Sequence, residues 1–207
     1  MEDVIQTYLL PYDPRYPVVC FDEACKQLFG EVRPAQRTRR GMARIDYEYE
    51  RKGVCHQLLL CEPLRGWCHV KVTERRTRRD YAACIRELVD IHYAQAKQIR
   101  LVQDNLNTHD GTSLYEAFSP AEARRILNKI DFHYTPKHGS WLNMAETEIN
   151  IMNSQCLDRR LDSQSRIATE VAAWEKQRNV AQARIHWTFT LAAARRKLRK
   201  VYPSIED

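Results

Sequence analysis

The stretch of sequence that decides the fold is a buried strand ending on an acid, and it reads Ile99-Arg100-Leu101-Val102-Gln103-Asp104. A short apolar run of this kind is typical of a strand inside a sheet. Helical periodicity precedes it over residues 81–96, and Ser119-Pro120-Ala121-Glu122 predicts the start of a helix that ends at about Lys129. A strand between two helices predicts helices packed on the faces of a shared sheet.

Upstream of that strand, the pattern predicts three consecutive strands joined by hairpins, at 17–21, 47–61 and 67–72. Downstream, it predicts a short strand at 132–134, a helix at 142–157 and two closing helices near 165–184 and 189–200. Three strands followed by alternating helices and strands are typical of the α/β class. We therefore expect a mixed sheet flanked by helices, with the C-terminal helices packed on it.

The composition fits one globular domain, or one domain with a helical appendage, and excludes a disordered chain. The 207 residues are 43% hydrophobic and 29% charged. The formal net charge of +6 is compatible with a polyanionic partner but does not establish one. Three Arg-rich clusters are consistent either with solvated surfaces or with phosphate contacts, and they fall at 33–52, 75–79 and 195–200.

Cysteine usage and hydropathy bear on the cellular compartment. The seven cysteines include no pair at the two-residue spacing of a zinc or redox site, and most lie in apolar surroundings. The acidic start at Glu2 and Asp3 does not resemble a signal peptide, and no apolar run is long enough to span a membrane. We expect a soluble protein of a reducing compartment, with no membrane partner.

Three acids are candidates for a shared site: Asp22, Asp104 and Glu146. Asp22 and Asp104 each follow a predicted strand, and functional residues of such sheets gather at the carboxyl ends of strands. Each has an ordinary alternative as a turn or capping residue. Helical phase separates Glu146 from Glu148, because we expect Glu146 to lie beside the apolar face of its helix, toward the sheet, and Glu148 to point away.

If the fold brings these three acids together, they can bind divalent metal. Carboxylate oxygens are hard ligands that suit Mg²⁺ or Mn²⁺. Two such ions about 3.5–4 Å apart can activate an attacking hydroxyl and stabilise the leaving oxygen in phosphodiester chemistry. Without metal, the three negative charges repel and raise one another's pKa values.

Three phrases carry a resemblance to a known family, and they read Val18-Val19-Cys20-Phe21-Asp22-Glu23, Asp104-Asn105-Leu106-Asn107-Thr108-His109 and Gly139-Ser140-Trp141-Leu142-Asn143-Met144-Ala145-Glu146. The chain resembles the DDE superfamily endonuclease domain and, more narrowly, the transposases of mariner-related bacterial insertion sequences. The phrase that ends at Glu146 is the most specific of the three. The resemblance runs from about residue 1 to about residue 203.

The resemblance implies a ribonuclease H-like fold and a catalytic triad of Asp22, Asp104 and Glu146 that holds two ions of Mg²⁺ or Mn²⁺. The implied reaction is hydrolytic nicking at transposon ends, followed by attack of the freed 3′-hydroxyl on target DNA, typically at a TA dinucleotide. The chain then divides into a lead-in segment at 1–16, the catalytic domain at 17–160 and a C-terminal helical extension at 161–207.

The resemblance also implies partners and a location. The DNA is double-stranded, as transposon ends and as target, and the active protein is a homodimer in the bacterial cytoplasm, associated with the nucleoid. Family members carry an N-terminal helix-turn-helix region that reads the inverted repeats. This chain starts close to its first catalytic strand, so we expect that region to be encoded separately or joined by frameshifting. The alternative is a truncated, non-catalytic remnant that binds DNA or a partner.

Other residues are candidates for supporting roles around the triad. Asn105 and His109 could orient Asp104 or a metal-bound water, or could only cap the loop. Candidates for DNA phosphate contacts, with solvated loops as the alternative, are Arg75, Arg76, Arg78, Arg79, Lys137 and His138. Trp141 could stack on a base, but we favour a core or staple position at the start of its helix.

Overall fold

The computed structural model describes residues 1–33, 36–37, 43–44 and 46–198. Its strands are β1 Val18–Glu31, β2 Gln36–Arg37, β3 Ala43–Arg44, β4 Tyr49–Glu62, β5 Trp67–Thr73, β6 Ile99–Gln103 and β7 Ile130–Tyr134. Its α-helices are α1 Glu2–Tyr8, α2 Arg78–Glu87, α3 Thr112–Ala117, α4 Pro120–Leu127, α5 Met144–Met152, α6 Gln164–Val180 and α7 Leu191–Lys197. Much of the predicted basic cluster at 33–52, and residues 199–207, lie outside the described residues.

The central sheet is mixed, as predicted, with its strands in the order β5-β4-β1-β6-β7. The strands β5, β4 and β1 are antiparallel neighbours, because hairpins connect them along the chain. The strands β1, β6 and β7 run parallel, and helices form the crossover connections between β5, β6 and β7. The sheet therefore changes from antiparallel to parallel at β1.

The first strand is much longer than predicted. The sequence places the end of β1 at Phe21, whereas the strand continues to Glu31, so Asp22 lies inside it rather than at its end. The reason is the pairing with β4, which continues along β1 from Cys20 to Glu31. The register shifts near Gly53, whose φ of +97° fits a bulge residue that favours glycine.

Helices cover both faces of the sheet and form two hydrophobic cores. One core contains buried side chains of α1, α5 and α6, including Ile5, Ile149 and Trp174. The other contains side chains of α2, α3 and α4, including Tyr81 and Leu114. The side chains along β1 alternate between the two cores, so β1 and β6 are held rigidly at the centre of the molecule.

Local capping explains where several helices begin. Thr77 and Asp80 form a capping box at the start of α2, and the Ser119 side chain caps α4 as predicted. The predicted helix over 142–157 is shorter, because a 3₁₀ turn at Ser140–Leu142 precedes α5 and a π-helical turn at Asn153–Leu157 follows it. The predicted helix over 81–96 likewise ends in a π-helical turn at Leu88–His92.

The terminal segments pack on the first core. Val4 and Ile5 of α1 are fully buried, and the Tyr8 hydroxyl donates a hydrogen bond of 2.8 Å to the Leu142 carbonyl. Arg195 of α7 pairs with Glu2 of α1. Five of the seven cysteines are buried and all seven are free thiols, in agreement with the prediction of a core role. Within the part of the chain that is described, no helix combines the length and the apolar composition needed to cross a membrane.

Candidate active site

Asp22 and Asp104 occupy matching positions on two neighbouring strands. In the parallel pairing of β1 and β6, Cys20 lies opposite Val102. Each aspartate follows two residues later on its own strand, so the register places the two acids side by side where the parallel pairing ends. Although Asp22 lies within β1, it therefore stands at the carboxyl end of the parallel half of the sheet.

The side chain of Asn143 fastens the start of α5 to β1 beside Asp22. Its Oδ1 accepts a hydrogen bond of 3.1 Å from the Ala145 amide, which caps the helix. Its Nδ2 donates to the Phe21 carbonyl at 2.8 Å and to Asp22 Oδ2 at 3.3 Å. Glu146 lies in the first turn of the helix that is held in this way. Asn143 was not among the predicted site residues, although a capping residue three positions before a candidate acid is a usable signal.

The three acids influence one another electrostatically. The pKa of Asp22 is raised to about 6, chiefly by burial and then by repulsion from Asp104 and Glu146. The Glu23 amide donates a hydrogen bond of 2.8 Å to Asp22 Oδ1, and this bond and the positive charge of His109 offset part of the rise. Asp22 thus lies within a concentration of negative charge that no adjacent Lys or Arg neutralises among the described contacts.

The donor chemistry of this cluster fits a hard divalent cation, since all three groups offer carboxylate oxygens. As the side chains stand, no group of three His, Cys, Asp or Glu residues in the described part of the chain is arranged to hold a metal ion. Binding a cation here would therefore require the carboxylates of Asp104 and Glu146 to move toward Asp22. Their mutual repulsion is the force that a cation would reverse.

His109 contacts Asp104, which agrees with the orienting role considered for it. Its Nδ1 hydrogen-bonds Asp104 Oδ1, and the side chain is completely buried. Burial lowers the pKa of His109, but the contacts with Asp104 and Glu23 outweigh burial and raise it to about 9. The imidazole is therefore a cation held between two acids. Asn105, the other candidate, is exposed, and the described contacts of Asp104 do not include it.

Glu23 is a second residue that the sequence analysis missed. Its carboxylate is largely buried, with Oε2 3.5 Å from His109 Nε2 and Oε1 accepting a hydrogen bond of 2.7 Å from Arg76 Nη1. The 3.5 Å contact is an ion pair rather than a hydrogen bond, so His109 Nε2 has no hydrogen-bond partner in the described part of the chain. A chain of alternating charges thus runs from Asp104 through His109 and Glu23 to Arg76. The one signal for Glu23 in the sequence was its position directly after Asp22.

The arginines that were candidates for DNA contacts fall into two groups. Arg76 is committed to Glu23, and Arg78 pairs with Glu116. Arg75, in the loop before α2, and Arg79, in the first turn of α2, are both exposed and line a surface cleft together with Glu116. In the described contacts, these two arginines have no carboxylate partner. They are therefore the members of the cluster best placed to meet a phosphate.

The loop before α5 presents the other predicted contacts. Lys137 and His138 are exposed, and His138 adopts a φ of +62°, which is unusual for a residue other than glycine. Trp141 is 47% exposed, whereas Leu142, Asn143, Met144 and Ala145 are buried. The favoured core position for Trp141 is therefore wrong, because the 3₁₀ turn rotates its ring out of the apolar face that begins at Leu142.

The helical-phase prediction that Glu148 points away from the buried face is wrong, because Glu148 lies on that face of α5 with Ile149 and Met152. It is almost fully buried, and its two oxygens accept hydrogen bonds of 3.0 and 2.9 Å from Arg178 Nε and Nη2 of α6. Glu148 therefore faces α6 and its charge is neutralised there. The sequence did not indicate this partner, because the contact is formed only when α6 packs beside α5.

Comparison with solved structures places this architecture among transposase catalytic domains of the ribonuclease H-like fold. A structure titled "Mos1 transposase paired-end complex with left transposon end" aligns with a TM-score of 0.53 at 11% identity, covering 83% of this chain and 57% of that chain. A second, titled "Crystal structure of the Mos1 mariner paired end complex with Mn", aligns with a TM-score of 0.48 at 11% identity, covering 84% of this chain and 57% of that chain. At this identity the likeness shows the fold alone.

The chain thus spans little more than half the length of the Mos1 chains that it resembles. No curated protein matches it by sequence. The family described as DDE superfamily endonuclease matches residues 17–168, well over half of the chain and the whole of the sheet that carries Asp22 and Asp104. The chain therefore belongs to the DDE superfamily endonuclease family.

Proposed function

We propose that this chain is the catalytic domain of a DNA transposase, which nicks DNA at transposon ends and transfers the freed strand into target DNA. The observation that carries the proposal is the cluster of Asp22, Asp104 and Glu146, in which burial and repulsion raise the pKa of Asp22 to about 6. A partly buried concentration of like charge is costly to folding, and such sites are usually retained because they bind or react. The family of the chain and its likeness to a transposase bound to a transposon end support this choice.

In this proposal the three acids hold divalent metal, Mg²⁺ or Mn²⁺, most simply as two ions. When bound, such ions supply an activated hydroxyl and stabilise the leaving oxygen of a phosphodiester. Asn143 holds the Asp22 carboxylate and keeps the start of α5 against β1. The Nδ1 atom of His109 forms a hydrogen bond with the Asp104 carboxylate and orients it. Two of the three carboxylates thus accept hydrogen bonds from neighbouring side chains.

The DNA in this proposal contacts exposed basic residues on elements that lead to or flank the acids. Arg75 lies in the loop before α2 and Arg79 in its first turn, and Lys137 and His138 lie in the loop before α5. All four are exposed, so each can meet a phosphate without first breaking a buried contact. We further propose that the active form is a homodimer acting on DNA in the bacterial cytoplasm, with a helix-turn-helix region supplied separately or in a longer product.

The test is a plasmid-nicking assay with Mg²⁺ or Mn²⁺ that compares the wild-type chain with Asp104→Asn and Glu146→Gln. We expect both variants to lose activity by about a thousandfold or more, because cooperating catalytic groups fail together. The matched control is Asp110→Asn, which changes an exposed acid of the same loop and preserves the acceptor for the Thr112 amide. We expect this control to nick like the wild type.

Equal background nicking by wild type and both triad variants would contradict the enzyme proposal. If the chain still bound DNA under those conditions, it would instead be a non-catalytic DNA-binding remnant. Nicking that appeared only with an added helix-turn-helix partner, and still required Asp104, would support the catalytic proposal in its two-component form.

A further inference from the structure

Trp141 stands out because it is exposed at a place where the chain is otherwise tightly packed. Nearly half of its surface is open to solvent, although the next four residues are buried. Its backbone is nonetheless fixed, since the Asn143 amide bonds to the Ser140 carbonyl at 2.7 Å and the Leu142 amide bonds to the Gly139 carbonyl at 3.0 Å. The exposed ring is therefore held in place rather than left on a loose loop.

A closed circuit of aromatic contacts supports the Trp141 ring from one side. The Phe189 ring meets it edge-on with centroids 5.6 Å apart, and Trp187 packs on Phe189 at 6.3 Å. Trp187 also contacts Tyr8 at 4.9 Å and donates its Nε1 proton to the Phe189 carbonyl at 2.7 Å. Tyr8 closes the circuit by bonding to the carbonyl of Leu142, the neighbour of Trp141. The rings are thus arranged before any ligand binds, which lowers the entropic cost of binding.

This aromatic surface adjoins the candidate active site. Asn143, two residues after Trp141, donates directly to Asp22, and Glu146 follows in the next turn. A group stacked on Trp141 would therefore lie beside the acids that we propose to cut the DNA. The connection is through one short stretch of backbone, so the two positions keep a fixed relation.

The charges around the rings favour a nucleic acid over an apolar protein segment. Lys197 Nζ lies 5.9 Å from the centroid of the Phe189 ring, and Lys137 is exposed four residues before Trp141. In the described part of the chain, neither lysine has a carboxylate partner. Flat aromatic faces combined with lysines that lack acidic partners are the combination that binds single-stranded nucleic acid.

We propose that Trp141 and Phe189 form a stacking platform for one unpaired nucleobase of the DNA strand beside the scissile phosphate. This inference rests on the proposed function, because it assigns the platform to the DNA on which the acids act. Stacking tolerates any base, so the platform would position a strand end without reading its sequence. Lys137 and Lys197 would meet the phosphates that flank the stacked base.

The test uses 2-aminopurine, a base whose fluorescence falls when it stacks, in a duplex oligonucleotide with a single-stranded 3′ end. Trp141→Phe retains an aromatic face, whereas Trp141→Leu retains apolar bulk without one. We expect Trp141→Leu to lose the quenching and to weaken binding by about 10-fold, and Trp141→Phe to stay near wild type. Phe189→Leu, which removes the ring that supports Trp141, should also reduce the quenching and weaken binding.

Two controls make the result specific. Tyr115→Leu removes a ring that is 46% exposed on α3, and it should leave quenching unchanged. The slope of binding against salt concentration should be the same for Trp141→Leu and wild type, because no phosphate contact is lost, whereas Lys137→Ala should reduce it by about one. Each variant is first checked for an unchanged melting temperature.

Equal quenching by Trp141→Leu and Trp141→Phe would overturn the platform. If wild type still nicked plasmid DNA in an Asp104-dependent way, that result would leave the proposed function standing. A wild-type chain that neither bound the probe nor nicked DNA would overturn both. Binding of the probe with a Trp141-dependent signal, in a chain that does not nick even with an added helix-turn-helix partner, would support the platform and reject the catalytic role.

Discussion

Two acids on the same helix, Glu146 and Glu148, have opposite electrostatic surroundings. Glu148 is buried and its charge is matched by the guanidinium of Arg178 through two hydrogen bonds. Glu146 lies in the first turn of α5 near Asp22, and its charge helps to raise the pKa of that aspartate. The two acids are two positions apart in the chain. Glu148 is neutralised by Arg178, whereas Glu146 adds to a cluster of like charge.

The difference separates acids that serve the fold from acids that are available for chemistry. A buried acid with a complete set of partners contributes to the packing of α5 on α6 and has no capacity left for a ligand. Acids that repel one another destabilise the folded chain until a cation or a proton arrives. Substitutions of these acids, or of the residues that hold them, should therefore separate effects on stability from effects on activity.

The largest expected effect on stability comes from removing the neutralised acid. Glu148→Ala leaves the partly buried Arg178 without its partner, so we expect the free energy of unfolding to fall by about 3 kcal/mol. Urea denaturation measures this loss. Glu146→Ala, its matched control on the same helix, should leave stability unchanged or raise it, and a large loss there would show that Glu146 is also structural.

The next effect concerns Asp22, whose ordinary pKa of 3.8 is raised to about 6 in the folded chain. The folded state therefore binds a proton more tightly than the unfolded state, and stability falls as pH rises from about 4 to about 6. Asp22→Asn removes this penalty, so without metal it should be more stable than wild type by about 3 kcal/mol above pH 6. At pH 4 the difference should vanish, as melting temperatures can show.

His109 is expected to affect activity more than stability. His109→Gln removes the cation that lies between Asp104 and Glu23, so Asp104 loses its orientation. We expect single-turnover nicking to slow by about 10- to 100-fold, as when other partners of metal ligands are replaced. Asp110→Asn serves as the control in the same loop, and a rate for His109→Gln equal to that of the control would reject the role.

Asn143 should show the smallest change in stability together with a clear change in activity. Asn143→Ser keeps a helix cap but loses the donor to Phe21 and Asp22, at a cost of about 1 kcal/mol. Ser119→Ala, which removes the cap of α4, should lower the melting temperature by a similar amount. Only Asn143→Ser should slow nicking, and a similar slowing by Ser119→Ala would mean that lost stability alone explains it.

Local sequence patterns predicted much of the fold. The apolar run at 99–103 became β6 with its boundaries as predicted, and the Ser119 cap formed where its motif indicated. The end of β1 could not be predicted in this way, because pairing with β4 continues the strand through residues that are neither apolar nor alternating. Local periodicity does not report a partner that lies 30 or so positions away along the chain.

The same limit applies to the candidate site. The motifs indicated three acids and His109, whereas helical phase wrongly placed Glu148 away from the buried face of α5. The Arg178 partner of Glu148 and the Arg76 partner of Glu23 depend on packing between distant elements, so no local pattern could reveal them. The exposure of Trp141 arises from a 3₁₀ turn before α5, and a helix predicted to begin at Leu142 does not include that turn.

The central claim is that Asp22, Asp104 and Glu146 together bind divalent metal, and a Mn²⁺ titration followed by electron paramagnetic resonance tests it directly. The wild-type chain should bind Mn²⁺, and Asp104→Asn and Glu146→Gln should each weaken binding by about 10-fold or more. Asp110→Asn should bind like the wild type. Wild-type affinity in both triad variants would contradict the claim.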